Sequence, residues 1–114
     1  MSNPEDHLAI GALQDLKEIM EGEFETLVNT FISDSRNKVE ELGHILQVRD
    51  ADALRKVAHS LKGSSSNVCA FRLSEFARQL EMLGKEEKLD GAEQILESLR
   101  EEFSRVSGIL TNNL

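Results

Sequence analysis

Lys56–Ala70 reads KVAHSLKGSSSNVCA. Advancing about 100° per residue, Leu54, Val57, Ala58, Leu61, Ser65 and Val68 fall within about 60° of a common centre, so this stretch is one amphipathic helix. His59 lies about 140° from that centre and points to solvent, while Gly63 lies at about 180°. A glycine at a solvent position inside a helix costs about 1 kcal/mol against alanine. No packing constraint demands it there, so its missing side chain serves something outside the helix, and the close approach of another molecule is the simplest candidate.

The rest of the chain reads the same way. The only proline is Pro4, and apolar residues recur at three and four almost throughout, with no strand candidate. A short N-terminal helix is predicted at about 6–19. A long one follows at about 22–47, carrying Phe24, Leu27, Val28, Phe31, Val39, Leu42 and Leu46 on one stripe. After VRDADALRK, where Asp50 or Asp52 caps, come helices at about 51–68, 71–83 and 89–110, the last two separated by the charged turn GKEEKLDG. Short connections between long amphipathic helices favour antiparallel neighbours. The fold class is therefore all-α: an antiparallel up-down-up-down four-helix bundle with the short N-terminal helix as a cap, in one domain spanning 1–114.

Composition narrows the function. Apolar content of 39% and charged content of 30% describe a globular chain, and no apolar run approaches the roughly 20 residues that span a bilayer. The opening MSNPEDHLAI lacks the basic start and apolar stretch of a signal peptide, and a single Cys69 provides neither an internal disulfide nor a Cys-based zinc site. A cytoplasmic location is expected. A formal net charge of −8 argues against nucleic acid or anionic membrane as a partner.

On the solvent face of the third helix, His59 has Asp52, Arg55, Lys56, Lys62, Gly63 and Ser66 on the turns above and below it. A solvated surface histidine is the plainer reading of a lone exposed imidazole; this company favours a reactive one. A neutral imidazole is a competent nucleophile, and a phosphoryl group placed on it brings close to two negative charges. Lys62 is placed to hydrogen-bond those oxygens. Ser64 and Ser65 turn towards the core edge and read as small packing residues whose hydroxyls bond back to the helix. His7 and His44 read as solvated surface histidines.

AHSLKGSSSNVCA resembles the signature of histidine phosphotransfer (HPt) domains, A-H-x-L-K-G-small-small-x-x-small-A, with Ala58, His59, Leu61, Lys62, Gly63, Ser64, Ser65 and Ala70 matching. SEFARQLE is similar to the segment that follows it in that family, whose fold is an antiparallel four-helix bundle preceded by a short helix. The resemblance implies that His59 accepts a phosphoryl group from the aspartyl phosphate of one receiver domain and passes it to the aspartate of another. Lys62 would steady the phosphoryl oxygens, Gly63 would leave room for docking, and Arg55, Lys56 and Ser66 would border the contact, with Leu8 or Leu13 as further contributors. The domain would need no cofactor and have no kinase activity, Mg²⁺ being held by the receiver. The expected partners are the receiver of a hybrid sensor kinase and that of a response regulator; the ordinary start at Met1 suggests a free-standing carrier, and a monomer is expected. Cys69 stands where the family usually has glycine, so either the helix end shifts or Asn67 takes the left-handed cap.

Two other readings stand beside this one. ELGH places Glu41 and His44 in the E-x-x-H spacing of di-metal carboxylate bundles, but a second such pair is missing and His44 lies about 160° from the apolar centre of its helix, so no metal site is expected. A helical module that binds receivers without exchanging phosphate would have no reason to keep His59 with Lys62 and Gly63.

Overall fold

Asp50 opens the helix that carries the site: its carboxylate accepts the Ala53 N–H at 3.0 Å, satisfying a donor that the first turn cannot pair. The structure, a computed structural model, describes residues 3–114. A 3-10 turn at Pro4–Asp6 precedes α1 (Ile10–Met20), α2 (Glu23–Val48), α3 (Ala51–Asn67), α4 (Phe71–Glu86) and α5 (Ala92–Asn112). Among the described residues there is no strand, and no helix is long and apolar enough to cross a membrane. α2 packs on α3, α3 on α4, α4 on α5 and α5 back on α2, with α1 laid against α2. Leucines at 42, 54, 61, 73, 80 and 99 fill the space between them, and Phe31 meets Phe103 edge-on at 6.4 Å. Each such buried leucine stabilises by roughly 1.5–3 kcal/mol.

The N-terminal segment departs from the expected continuous helix. Residues 7–9 break it because His7 and Leu8 turn inward. His7 is 3% exposed rather than solvated, with its Nδ1 2.7 and 2.9 Å from the two carboxylate oxygens of Glu102, itself 1% exposed. Leu8 and Leu13 are fully in the core, which removes both from any docking surface; the exposed large apolar residue of α1 is Ile19. The Ala9 N–H donates to the Cys69 carbonyl at 3.0 Å, so this segment straps the end of α3 to α5.

α3 and α4 approach most closely, and their small residues explain why. A Cβ added to Gly84 would sit 2.7 Å from the Ala51 carbonyl oxygen and the Arg55 nitrogen, a separation no side chain tolerates. Ala58 and Ala77 are fully buried on the same pair of helices. α4 runs to Glu86, past the expected end at 83, because Leu83 and Gly84 still pack inward and the left-handed Glu87 closes the helix.

At the other end of the pair, Cys69 itself adopts the left-handed conformation (φ 62°), rather than Asn67. The Ala70 N–H donates to Ser65 O at 2.9 Å and the Cys69 N–H to Ser66 O at 3.0 Å, the pattern that ends helices on a glycine. Burial pushes the Cys69 thiol up from its ordinary value. A side chain in this conformation is strained, so Cys69→Gly raises stability by about 0.5–1 kcal/mol in urea denaturation. Unchanged or lower stability would mean that the thiol's packing outweighs the backbone strain.

Candidate functional site

Because α3 and α4 are drawn together at Gly84 and Ala58, the face of α3 that carries His59 lies beside Glu81 of α4. The His59 ring is 65% exposed, and its Nδ1 is 2.7 Å from Glu81 Oε2. The other oxygen of the same carboxylate, Oε1, accepts from Lys62 Nζ at 2.7 Å. Glu81 is only 18% exposed. Burial pushes its carboxyl up, but the hydrogen bonds and charges of Lys62 and His59 outweigh that effect and hold it below its ordinary value of 4.5. An ionised carboxylate has no proton to give, so the hydrogen between the two groups sits on Nδ1, which donates it. In the neutral form of the ring, Nε2 is then the nitrogen that keeps the lone pair.

The histidines compare instructively. His7 has the same carboxylate contact on Nδ1 but is buried, and His44 on α2 is exposed with no side-chain hydrogen bond among the described residues. Only His59 combines a fixed Nδ1 with an accessible ring. Beside it, an added Cβ on Gly63 would meet nothing within 4 Å, so the fold has no use for glycine there.

The other candidates are placed differently from expectation. Arg55 and Lys56 are not gathered on His59: both pair with Asp52, at 3.0 and 3.1 Å. Their hydrogen bonds hold the Asp52 carboxyl below its ordinary value of 3.8. Exposed pairs of this kind are worth about 0–1 kcal/mol, so both cations exchange partners readily. Ser66 is half-buried; since Ser74 Oγ donates to Lys62 O at 3.0 Å, Ser66 donates to Ser74 at 2.9 Å and its hydroxyl is used inside the hairpin. Ser64 bonds back to Leu61 O at 3.2 Å, whereas the Ser65 hydroxyl is buried without a partner. Residues 51–88 carry seven basic and five acidic side chains, while the rest of the chain carries six and sixteen. The site thus sits on the one basic hairpin of an acidic protein.

Residues 26–109 match the family model of the Hpt domain. The chain belongs to the Hpt domain family. This Hpt domain also resembles the solved structure of histidine-containing phosphotransfer protein B (HptB) from Pseudomonas aeruginosa PAO1, with a TM-score of 0.91 and 36% identity over 94% of this chain and 93% of that one. No curated protein sequence matches it significantly. The Hpt domain's role is histidine phosphotransfer in a two-component phosphorelay, that of a phosphocarrier rather than a kinase. Glu81 is the residue of the candidate site that sequence reading missed. It stands inside SEFARQLE, but nothing local to that segment points to a histidine 22 residues earlier.

Proposed function

We propose that His59 is the phosphorylated residue, accepting from the aspartyl phosphate of a hybrid kinase's receiver domain and delivering to the aspartate of a response regulator. The observation that carries this is the exposed imidazole whose Nδ1–H is committed to Glu81, leaving Nε2 to react. In the forward step the Nε2 lone pair attacks phosphorus, and the bond between phosphorus and the aspartyl oxygen breaks with its electron pair returning to the carboxylate. Delivery reverses this at a second receiver. Mg²⁺ and its acidic ligands belong to the receivers, and the chain itself supplies nucleophile, orientation and shape.

Lys62 is the cation closest to the reacting group through the carboxylate they share, and a phosphoryl group offers it a second acceptor. Gly63 supports docking by leaving open surface next to the ring, with Arg55, Lys56 and Ser66 at its border. The closed ring of contacts among α2, α3, α4 and α5, joined by short turns, supports an antiparallel up-down-up-down bundle within one domain. Its exposed large apolar side chains, Ile19, Val48, Phe71, Met82 and Leu114, are scattered over α1, α2, α4 and the C-terminal end, which supports a monomer, and the single cysteine supports a cytoplasmic setting.

The test is transfer from a phosphorylated receiver. Gly63→Glu melts no lower than the parent, because glutamate is a better helix former and its Cβ meets nothing within 4 Å at this exposed position. It slows transfer at least about tenfold, through bulk and through repulsion of an acidic partner surface. Undiminished transfer would sink the docking role of Gly63.

A further inference from the structure

The Glu81 carboxylate touches the ring that reacts without touching the atom that reacts, and that geometry has a chemical consequence. When Nε2 takes a phosphoryl group, Nδ1 already carries its proton, so the ring becomes cationic with no proton transfer. When the P–Nε2 bond breaks, the electron pair returns to Nε2. The leaving group is then neutral imidazole if the Nδ1 proton is still in place, and an imidazolate if it has been lost. Imidazole is much the better leaving group, so whatever retains that proton keeps the phosphoryl group transferable. Glu81 is the group in position to do so: its Oε2 accepts the Nδ1–H at 2.7 Å, and it is mostly shielded from water.

Resting on the reading of His59 as the phosphorylated residue, we propose that Glu81 is a positioning residue that holds the Nδ1 proton on the phosphorylated ring and so sets a short lifetime and ready transfer for the phosphoryl group. The charged neighbours act in known directions. Lys62 on α3 shares the carboxylate through Oε1 and tempers its charge, and Arg78 on α4, paired with Glu75, adds a weaker positive influence on Glu81. An opposite charge and a hydrogen bond to the charged form both favour the protonated ring. A glutamine at 81 offers a neutral acceptor in the same place, which preserves the tautomer of the free ring and removes the charge that retains the proton after loading. The protein is in this sense built to carry a phosphoryl group rather than to store it.

The experiment needs no partner protein. Wild type, Glu81→Gln and Glu81→Asp are loaded chemically with potassium phosphoramidate, which exchanges ammonia for the imidazole nitrogen at phosphorus. Loss of the phosphorus-31 signal is then followed at pH 7.5. Glu81→Gln is expected to hold the phosphoryl group about threefold to tenfold longer than wild type, the range set by a charge-assisted hydrogen bond discounted for the exposed ring. Glu81→Asp is expected to recover a shorter lifetime, and a purely structural role for Glu81 would not restore it. Equal or shorter lifetimes in Glu81→Gln would overturn the proposal while leaving His59 as the site. Wild type that takes no phosphoryl group on His59 from phosphoramidate would remove the reading of the site itself, and this proposal with it.

Discussion

His59→Gln folds and melts like the parent and takes up no phosphoryl group from any phosphorylated receiver, a loss of at least about a thousandfold set by the absence of a nucleophile. Stability is spared because the ring is mostly in water and its contact with Glu81 belongs to the exposed class of pairs, worth about 0–1 kcal/mol. Lys62 retains its own bond to Glu81 Oε1, so the carboxylate is not left unpaired. The measurement is transfer of radiolabel from a receiver charged by its hybrid kinase, with label that is acid-labile and alkali-stable in the wild type and absent in the variant. Retained label in His59→Gln would place the phosphoryl group elsewhere, and His44 would then be the first residue to replace.

Glu102→Ala has the opposite profile, a large loss of stability at a residue that touches none of the site's side chains. Glu102 and His7 are both buried, with 2.7 Å between Oε2 and Nδ1, and Arg72 and Arg105 stand off at 3.9 and 4.0 Å from Oε1. Removing the carboxylate leaves the imidazole without this acceptor in a dry setting and opens a cavity where the N-terminal segment crosses α5. Breaking one side of a buried pair costs about 3–5 kcal/mol. For a domain whose total stability is of the order of 5–15 kcal/mol, that is a substantial fraction. Urea denaturation measures it directly. A loss below about 1 kcal/mol would mean that the segment at 7–9 contributes little and that the strap is not part of the cooperative fold.

What could be read from the sequence, and what could not, divides along physical lines. The helices were legible because apolar spacing is local, and the outward direction of His59 and Gly63 follows from arithmetic along a single helix. Glu81 was not legible, since its contact with His59 depends on the rotation and register of α4 against α3. Those are set by backbone approach at Gly84 and by the buried Ala58 and Ala77. His7 was misread for a related reason: directly after the acidic Glu5 and Asp6 it looks solvated, and only a carboxylate 95 residues away on α5 draws it inside. Leu8 and Leu13 follow it, so an expected apolar docking edge is in fact core. The spacing puts Arg55 and Lys56 on the same helix face as His59, but it does not show that both pair with Asp52 on that face. The departure at Cys69 was visible as a residue, whereas its outcome was not: the end of the helix stays in place and the cysteine takes the left-handed turn itself.

The most direct test of the account is to load nitrogen-15-labelled protein from a phosphorylated receiver domain and read the ring nitrogens by NMR. The account predicts the phosphoryl group on Nε2 of His59 with a proton on Nδ1, and its disappearance when a second receiver is added. A phosphoryl group on Nδ1 or on any other residue, or no loading by receivers shown to be active, would contradict it.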